Sequence, residues 1–480
     1  MSGTFEDIDV PPTLVSFAVT TDDVSNIISP EFKEVDNNVF MFIPEYDEEG
    51  LPKAESLKAI FEAIHEMIKD GTIISAYTPG YGGAAEAVLK MAMGNEIGFA
   101  YSEDADLEKL FGYAYGAFVV EVSTAAIKKT MGAECGDHMH FGFVLEGTDV
   151  INLGKTTAEK AIVRGDERID LAAIEKIYED KLEPIYSCNI ETAENKLETF
   201  SYDASDRLHA KVRVEKPKVL IPVFPGNNCE YDSAKAFRDA GAEPEIFVIN
   251  NLSAEAVAKS VEDFAAKVRE FQMIFIPGGF SGGDEPDGSG KFITAFFRNQ
   301  EVKEAVTDLL DHREGLMAGI CNGFQALIKL GLVPYGKIMD IDETFPTLTF
   351  NEIGRHQSKL IRTRIASNKS PWLANTKPDE IYTVPISHGE GRFIASEGLI
   401  QELAKNGQIT TQYVDLDGNV TSDIQFNPNG SYYAIEGITS PDGRVFGKMG
   451  HAERTGAGLY KNVPGDFDIG MFKAAVEYFK

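Results

Sequence analysis

Residues 315–325 read GLMAGICNGFQ, an apolar run that stops at Cys321 and resumes as a second apolar pattern. The run before Cys321 predicts a buried strand, and the apolar spacing after it predicts a helix over 324–330. A residue on such a sharp turn has a strained backbone, and Gly319 and Gly323 remove the side chains that would clash beside it. The stretch is therefore typical of a nucleophile elbow, with Cys321 at the top of a sheet.

Short apolar strands and amphipathic helices alternate on both sides of this turn. The predicted strands are 218–223, 245–249, 273–276 and 315–320. Three predicted helices are 231–240, 300–312 and 324–330. A fourth predicted helix has its last turns at 264–271. This alternation predicts a parallel sheet covered by helices on both faces. Sites in such sheets form beyond the carboxyl ends of the strands, where both Cys321 and the Pro-Gly-Gly of 277–279 lie.

Cys321 is the candidate nucleophile. The N-terminus of the predicted helix points at it, and the partial positive charge there favours the thiolate, which is the attacking species. The backbone amide of Asn322 can donate to a tetrahedral oxyanion. At an isolated GxCxG a small buried cysteine without a function is the alternative. The strand before Cys321, the helix after it and the glycine-rich loop one strand earlier favour the nucleophile.

A cysteine nucleophile needs a base, and the base needs a group that orients it. Of the eight histidines, His451 stands two residues before Glu453. Residues at i and i+2 of an extended segment point the same way, so Glu453 can hold the imidazole while His451 faces the cysteine. His388, in the polar segment 387–393, is the competing histidine. Cys229 also precedes a predicted helix, but it lacks a glycine two positions later and is interpreted as structural.

These motifs together are similar to those of a known family. GICNGFQ at 319–325 resembles the GxCxGxQ signature of class I, triad-type glutamine amidotransferases, and the Pro-Gly-Gly of 277–279 resembles their oxyanion loop. Three further segments resemble the glutaminase domain of phosphoribosylformylglycinamidine synthase, an enzyme of purine biosynthesis. They are FPGNNCE at 224–230, SHGEGRF at 387–393 and NPNGS at 427–431.

The resemblance implies a flavodoxin-like glutaminase sheet with flanking helices and assigns roles to individual residues. Cys321, His451 and Glu453 would form the triad, and the amides of Gly279 and Asn322 would bind the oxyanion. The residues expected to bind glutamine or to line the site are Gly278, Gln325, His388, Glu390 and Arg392. For Gln325 the alternative is a cap on the first helical turn, and for Arg392 it is a plain surface position. No metal ligand is expected in this domain.

Residues 1–155 form a different, mixed α+β block. Its predicted strands are 13–20, 39–44, 117–122 and 140–145, and its predicted helices are 57–69 and 82–93. VPPTLVSF at 10–17 and GGAAEAVLKM at 82–91 resemble the C-terminal part of a synthetase-like module of the same enzyme. Relatives often carry an acidic magnesium ligand before the paired glycines, whereas this chain has Tyr81. A phenol is a poor magnesium ligand, so a metal or ATP site in this block is not expected.

Residues 156–216 are predicted to connect the blocks, with helical character over 158–178, and 217–480 form the glutaminase domain. The resemblance is to the large single-chain enzyme, so it implies that nucleotide-binding halves upstream of this block are missing here and act in cis or in trans. The complete enzyme would use glutamine, ATP and magnesium, whereas the glutaminase part would bind no cofactor. The alternatives are a flavodoxin-like cysteine hydrolase and a non-catalytic interaction module.

Composition argues against several other classes. The net charge is −31 and the pI is about 4.7, and such a surface repels phosphate backbones, so a nucleic-acid partner is not expected. No apolar run approaches the roughly 20 residues that span a bilayer, so a membrane partner is not expected. The four cysteines are scattered and form no CxxC pair, which indicates neither a disulfide framework nor a zinc motif. A reducing cytoplasm is the expected location.

Overall fold

The computed structural model describes residues 3–5, 8–10, 14, 16–102, 105–126, 147–185, 187, 190, 197–204, 206–281, 290–461 and 463–480. The chain divides into two compact units, Met1–Tyr186 with Gly458–Asn462 and Ser187–Ala457 with Val463–Lys480. Each unit is built around its own sheet and its own apolar core.

The first unit contains nine of the described strands and four of the described helices. The strands are β1 (Gly3–Phe5), β2 (Ile8–Val10), β3 (Asn38–Pro44), β4 (Ile73–Tyr77), β5 (Gly98–Tyr101), β6 (Phe118–Val122), β7 (Thr148–Thr157), β8 (Ala161–Arg164) and β9 (Glu167–Asp170). The helices are α1 (Ala54–Lys69), α2 (Gly83–Met93), α3 (Leu107–Phe111) and α4 (Leu171–Asp180), with a 3-10 turn at Val24–Asn26. Strands β1 and β2 pair with each other, and the rest form a sheet of order β4-β6-β3-β7-β5-β8-β9.

Strand β3 separates two layers of side chains, because alternate residues of a strand face opposite sides. Val39 and Met41 belong to the apolar cluster that contains α2, whereas Phe40 and Phe42 belong to the cluster that contains Ile60 of α1. One helix therefore covers each face of the central strand. The structure confirms the strands predicted at 39–44 and 117–122 and the helices predicted at 57–69 and 82–93.

The strand predicted at 13–20 is wrong for the part of it that the structure describes. Residues 14 and 16–20 form no strand, and the side chains of Leu14, Phe17 and Val19 are exposed. An apolar β-prone run forms a strand only where neighbouring strands and a core cover it. The strand predicted at 140–145 lies outside the described residues.

The first part of the predicted connection 156–216 is folded into the first unit. Strands β8 and β9 pair antiparallel around a two-residue turn at Gly165, where φ is 56°. Two-residue hairpin turns favour glycine because they need positive φ. The helical character expected over 158–178 is therefore wrong up to Asp170, and the helix begins at Leu171.

The second unit contains the remaining described elements. The strands are β10 (Lys218–Val223), β11 (Glu243–Val248), β12 (Met273–Ile276), β13 (Leu316–Ile320), β14 (Thr347–Phe350), β15 (Gln357–Ile365), β16 (Ile381–His388), β17 (Glu390–Ile394), β18 (Ile409–Val414), β19 (Ile435–Thr439) and β20 (Val445–Lys448). The helices are α5 (Glu230–Asp239), α6 (Ala254–Val268), α7 (Lys291–Phe297), α8 (Gln300–Thr307), α9 (Asn322–Leu330), α10 (Leu332–Tyr335), α11 (Glu397–Lys405) and α12 (Met471–Glu477). A π-helical turn, Asp308–His312, follows α8, and 3-10 turns lie at Pro371–Leu373 and Tyr432–Ala434.

The main sheet of this unit has the order β11-β10-β12-β13-β20-β19-β18-β15-β16. The first five strands in this order, β11, β10, β12, β13 and β20, are parallel, as the alternation of strands and helices predicts. The other half is antiparallel and was not predicted. Its strands follow one another mostly through loops and turns, so no strand-helix alternation marks them. The fold is a mixed α/β sheet rather than a wholly parallel one.

Aromatic and aliphatic side chains fill the core beneath the parallel half. Strands β12 and β13 are buried along their whole length. Phe200 and Ala210, within the predicted connection, are also buried in this core, so the second unit begins earlier than the expected 217. No helix in the described ranges is long and apolar enough to cross a membrane.

Replacing Phe237 by alanine should lower the free energy of unfolding of the second unit by about 3–5 kcal/mol, because it leaves a cavity in a packed core. Phe237 is fully buried on α5, and its ring centroid lies 5.2 Å from that of Phe275, 6.2 Å from Trp372 and 4.9 Å from Phe472. Urea unfolding followed by the fluorescence of Trp372, the one tryptophan of the chain, measures the change. Tyr231→Ala on the exposed side of the same helix is the control, with a shift within about 0.5 kcal/mol. Equal shifts for both variants would contradict this packing.

Candidate active site

Cys321 lies at the turn between β13 and α9 with φ of 55° and ψ of −109°, a conformation that strains any residue with a side chain. The flanking glycines leave the space that this turn needs. A Cβ added to Gly319 would lie 2.5 Å from the carbonyl carbon of Gly323, and one added to Gly323 would lie 2.1 Å from the carbonyl oxygen of Ile276. The amide of Cys321 donates to the carbonyl of Lys448 at 2.9 Å, so the turn is anchored to the end of β20.

His451 and Glu453 lie beside this turn, and both side chains are buried. Nδ1 of His451 lies 2.6 Å from Oε1 of Glu453. A Cβ added to Gly278 would lie 2.7 Å from Cε1 of His451 and 3.4 Å from Cβ of Cys321. The imidazole, the cysteine and the glycine loop therefore surround one small volume.

The contact between His451 and Glu453 forms in a turn rather than along an extended strand. The amide of Ala452 donates to Gly450 and that of Arg454 to His451, which bends the chain after β20. The expectation of an extended segment is therefore wrong, although the carboxylate reaches the imidazole. A turn brings the two side chains as close as the i and i+2 positions of a strand would.

The two charges of this pair stabilise each other. Burial alone lowers the pKa of His451, but the charge of Glu453 and the neighbouring thiols of Cys229 and Cys321 raise that pKa well above its usual value. Burial raises the pKa of Glu453, while the charge of His451 and its hydrogen bond lower that pKa by more. The arrangement favours an imidazolium beside a carboxylate, a state that can give a proton to a leaving group.

The Pro-Gly-Gly loop after β12 packs against the loop after β10. Gly279 has φ of 139°, and a Cβ added there would lie 2.5 Å from Cα of Asn227. The amide of Phe280 donates to the carbonyl of Gly226 at 2.8 Å. The side chain of Asn322 accepts from the amide of Ser281 at 3.2 Å, which ties this loop to the elbow.

His388 lies at the end of β16, one residue after Ser387, whose carbonyl contacts Cys321. The Sγ of Cys321 lies 3.8 Å from the carbonyl of Ser387, and Nδ1 of His388 lies 3.2 Å from Oδ1 of Asn351. Burial, together with the nearby charges of His451 and His356, lowers the pKa of His388 to about 3. His388 is therefore a neutral hydrogen-bonding group at this site and no proton donor near neutral pH.

A comparison with known protein families gives a match over the part of the chain that contains Cys321, His451 and Glu453. A family model described as the CobB/CobQ-like glutamine amidotransferase domain matches residues 216–479. The chain belongs to this glutamine amidotransferase family. Residues 1–215 lie outside that match, and the resemblance of the first unit to a synthetase module is not confirmed.

Several similar proteins carry one name. Phosphoribosylformylglycinamidine synthase subunit PurQ of Methanococcus maripaludis is 36% identical over 284 residues, covering 55% of this chain and 97% of that protein. The subunit PurQ of Dehalococcoides mccartyi is 34% identical over 244 residues, covering 50% and 86%. The solved structure of PurLQS from Thermotoga maritima is 25% identical, covers 55% of this chain and 100% of that one, and has a TM-score of 0.41. The two PurQ relatives are named as subunits, which supports the amidotransferase part and not the large single-chain form.

Gln325 of this amidotransferase connects helix α9 to strand β17. Its Nε2 donates to the carbonyl of Glu390 at 2.7 Å, and its Oε1 accepts from Nδ2 of Asn322 at 2.9 Å. The side chain is buried. These contacts hold the strand that follows His388 against the elbow.

Arg392 and Glu390 interact with other side chains and carbonyls of the protein. Arg392 donates to the carbonyl of Gly430 at 3.1 Å and pairs with Glu352 at 3.3 Å. Burial lowers the pKa of Lys329 on α9, and the charge of Glu390 opposes that effect. Arg392 therefore pairs with a carboxylate of the protein itself. The NPNGS segment also contacts the strand that carries Arg392, because Asn429 Nδ2 donates to the carbonyl of Gly391 at 2.8 Å.

Cys229 lies within the site and contacts His451, so its interpretation as a purely structural residue was incomplete. Its Sγ lies 3.8 Å from Nδ1 of His451 and accepts from Nη2 of Arg454 at 3.3 Å. A Cβ added to Gly278 would lie 3.2 Å from the same sulfur. The sequence signal was available, since Cys229 lies in the FPGNNCE segment that carries the resemblance.

A buried ion pair beneath the site was also missed. Nζ of Lys448 lies 3.1 Å from Oε1 of Glu436, and both side chains are essentially inaccessible. Lys448 donates to the carbonyl of Gly450 at 2.9 Å, and the amide of Gly450 donates to Glu436 at 2.6 Å. The pair therefore fixes the position of the Gly450 backbone, which directly precedes His451. A lysine and a glutamate within two otherwise apolar strands are the signal that could have shown it.

Gly278→Ala should lower the rate of glutamine hydrolysis by about 10²-fold, because the added methyl displaces His451 from the thiol and small misplacements of catalytic groups cost that much. Steady-state release of glutamate measures the rate, with circular dichroism to check the fold. Gly456→Ala is the control, since a Cβ there meets nothing within 4 Å. An unchanged rate in Gly278→Ala would mean that the loop yields freely and does not confine the imidazole.

Glu436→Gln should lower the free energy of unfolding of the second unit by about 3–5 kcal/mol, because it leaves the buried Lys448 charge unpaired. The double variant with Lys448→Met should recover a large part of this loss, which a double-mutant cycle measures from the fluorescence of Trp372. Asp239→Asn, which breaks an exposed pair with Lys235, should change the free energy of unfolding by less than about 1 kcal/mol. Additive effects of the two core substitutions would show that the buried charges do not interact.

Proposed function

We propose that this amidotransferase is the glutamine-hydrolysing part of a phosphoribosylformylglycinamidine synthase and that Cys321 is its nucleophile. The single observation that carries the proposal is the strained, glycine-flanked cysteine beside an imidazole whose Nδ1 lies 2.6 Å from a buried carboxylate. Triad-type hydrolysis requires this combination of nucleophile, base and orienting acid. The named PurQ relatives supply the reaction in which the ammonia is used.

In the proposed reaction the Cys321 thiolate attacks the side-chain amide carbon of glutamine. The backbone amides of Gly279 and Asn322 stabilise the oxyanion that forms. His451 gives its proton to the departing ammonia, leaving a glutamyl thioester. The same imidazole then takes a proton from water, which attacks the thioester and releases glutamate. Glu453 keeps the Nδ1 proton of the imidazole in place during both steps.

The other expected site residues support this assignment to different degrees. Gly278 leaves the space that the imidazole occupies, and the neutral His388 offers a hydrogen-bonding group to the substrate. We propose that Gln325 acts on glutamine only indirectly, since its amide already bridges two elements of the protein. Glu390 and Arg392 act by holding the segment in place.

We further propose that the ammonia is used by a synthetase partner. Subunit PurQ is named as a part of a larger synthase, and ammonia released into water would be lost to the reaction. The hydrolysis steps use side chains, backbone amides and water, so the amidotransferase unit needs no cofactor of its own. ATP and magnesium would act on the synthetase part, where formylglycinamide ribonucleotide becomes formylglycinamidine ribonucleotide.

A glutaminase assay with and without the synthetase partner tests the proposal. Cys321→Ala should abolish glutamate release and should also abolish labelling by a glutamine-analogue electrophile. Both results together identify the nucleophile. Peptide cleavage without glutamine turnover would point instead to another cysteine hydrolase, and no turnover or adduct with the partner present would leave an interaction module.

Glu453→Gln should lower the rate of hydrolysis by about 10²–10⁴-fold, because a neutral amide no longer stabilises the imidazolium or sets its tautomer. Glu255→Gln, an exposed change on α6, should leave the rate unaltered. The comparison uses single-turnover formation of the thioester followed by mass spectrometry. Wild-type thioester formation in Glu453→Gln would exclude an orienting role for this carboxylate.

A further inference from the structure

We propose that Cys229, His451 and Glu453 form a binding site for a thiophilic divalent cation of the Zn²⁺ type, and that a cation bound there switches off the glutaminase. The binding half of the proposal stands on the three ligands alone, whereas the inhibition half rests on the proposed function.

The three ligand atoms converge on one point. The Sγ of Cys229, a ring nitrogen of His451 and a carboxylate oxygen of Glu453 all lie within 4.8 Å of one another. Thiolate, imidazole and carboxylate are the ligands that zinc takes in proteins, usually with tetrahedral geometry. Three protein ligands with an open fourth position are typical of zinc sites that exchange a bound water.

The distances require one specific movement. Tetrahedral zinc with ordinary bond lengths keeps its sulfur and nitrogen ligands roughly 3.5 Å apart, and its nitrogen and oxygen ligands roughly 3.4 Å apart. The separation between Cys229 Sγ and His451 Nδ1 is 3.8 Å and needs only a small contraction. The separation between His451 Nδ1 and Glu453 Oε1 is 2.6 Å and must open. The cation would therefore replace the hydrogen bond that orients the imidazole.

Charge and hydrogen bonding also favour a cation here. A cation that takes the place of the His451 proton would face the carboxylate of Glu453 and the sulfur of Cys229, which are both buried. Arg454 donates to the Cys229 sulfur at 3.3 Å, so this sulfur already accepts from a cationic group. Oε2 of Glu453 is shielded from solvent and has no hydrogen-bond partner in the described part of the chain. A bound cation would satisfy this oxygen.

An approach to the ligands exists on the Glu453 side. A cavity of about 530 Å³ has Glu453 in its wall, together with the acidic residues Asp239, Asp466 and Asp468. Lys235 and Lys473 also line it, so the wall has more carboxylates than ammonium groups. Since the Glu453 side chain is buried in this wall, its carboxylate must turn toward the cavity before a cation can bind.

The consequence for the reaction follows from the atom that the cation would take. Nδ1 of His451 would lose its proton and its contact with Glu453, and the imidazole would no longer be held for Cys321. The charge of the cation would also make the remaining ring nitrogen, Nε2, a weaker base. Cys321 would keep its position, but His451 could no longer act as its base.

Cobalt titration of the full chain tests the binding half. Co²⁺ bound to a thiolate gives a charge-transfer absorption that Co²⁺ on oxygen and nitrogen ligands lacks. We expect this band, at one cobalt per chain, in the wild type and in Cys321→Ala, and we expect it to disappear in Cys229→Ala. Cys135→Ser and Cys188→Ser are the control variants for the other thiols and should keep the band. A band that disappears in Cys321→Ala but survives in Cys229→Ala would place the cation on the nucleophile and overturn the proposal.

Zinc inhibition tests the second half, with each variant compared with its own metal-free rate. We expect Zn²⁺ to inhibit wild-type glutamate release reversibly on addition of a chelator, and Cys229→Ala to need roughly tenfold more zinc or greater. Equal zinc sensitivity in both would overturn the switch. If the wild type releases no glutamate even without added metal, the proposed function is wrong. The cobalt spectrum would still decide whether the site binds a cation.

Discussion

The parallel pairing of β13 with β20 is the constraint on which the site depends. Because these neighbours run in the same direction, their carboxyl ends meet at one edge of the sheet. One end carries Cys321, and the other leads within three residues to His451. The hydrogen bond from the Cys321 amide to the Lys448 carbonyl joins the two ends directly. Cys321 and His451, the proposed nucleophile and base, are distant in sequence, and this strand pair brings the segments that carry them together.

This geometry strains the backbone, and the surrounding structure has to hold it. A non-glycine residue at φ of 55° and ψ of −109° costs of the order of 1–3 kcal/mol and persists only where neighbours over-determine it. The neighbours here are the glycines on either side of the cysteine and the fully buried strands β12 and β13. The buried Lys448–Glu436 pair adds rigidity at the partner strand, since both side chains also bind the backbone at Gly450.

The parts of this site that could be predicted from sequence are those encoded locally. The elbow is a run of consecutive residues, and the His451–Glu453 spacing is short, so pattern and chemistry are enough to find them. Local pattern and chemistry did not reveal the contact of Cys229 with His451, because that contact depends on how the β10 loop packs against the β12 loop. Only the position of Cys229 in the FPGNNCE segment pointed to the site. The antiparallel half of the sheet was missed for a related reason, since strands joined mainly by turns do not show the strand-helix alternation that marks parallel units. The run at 13–20 shows the opposite error, an apolar pattern that no core covers in its described residues.

Buried polar atoms without partners concentrate where the reaction is proposed. Nε2 of His451, Nε2 of His388 and Oε2 of Glu453 are shielded from solvent and have no hydrogen-bond partner among the described residues. Each such atom costs about 1–3 kcal/mol relative to a satisfied one. A core selected for stability alone would have filled these positions with apolar groups. In the proposed reaction a bound glutamine would offset this cost at the histidine nitrogens, and in the proposed cation site the metal would offset it at the carboxylate oxygen. The same imidazole then serves two competing arrangements, with Glu453 orienting Nδ1 in one and Cys229 sharing it with a metal in the other.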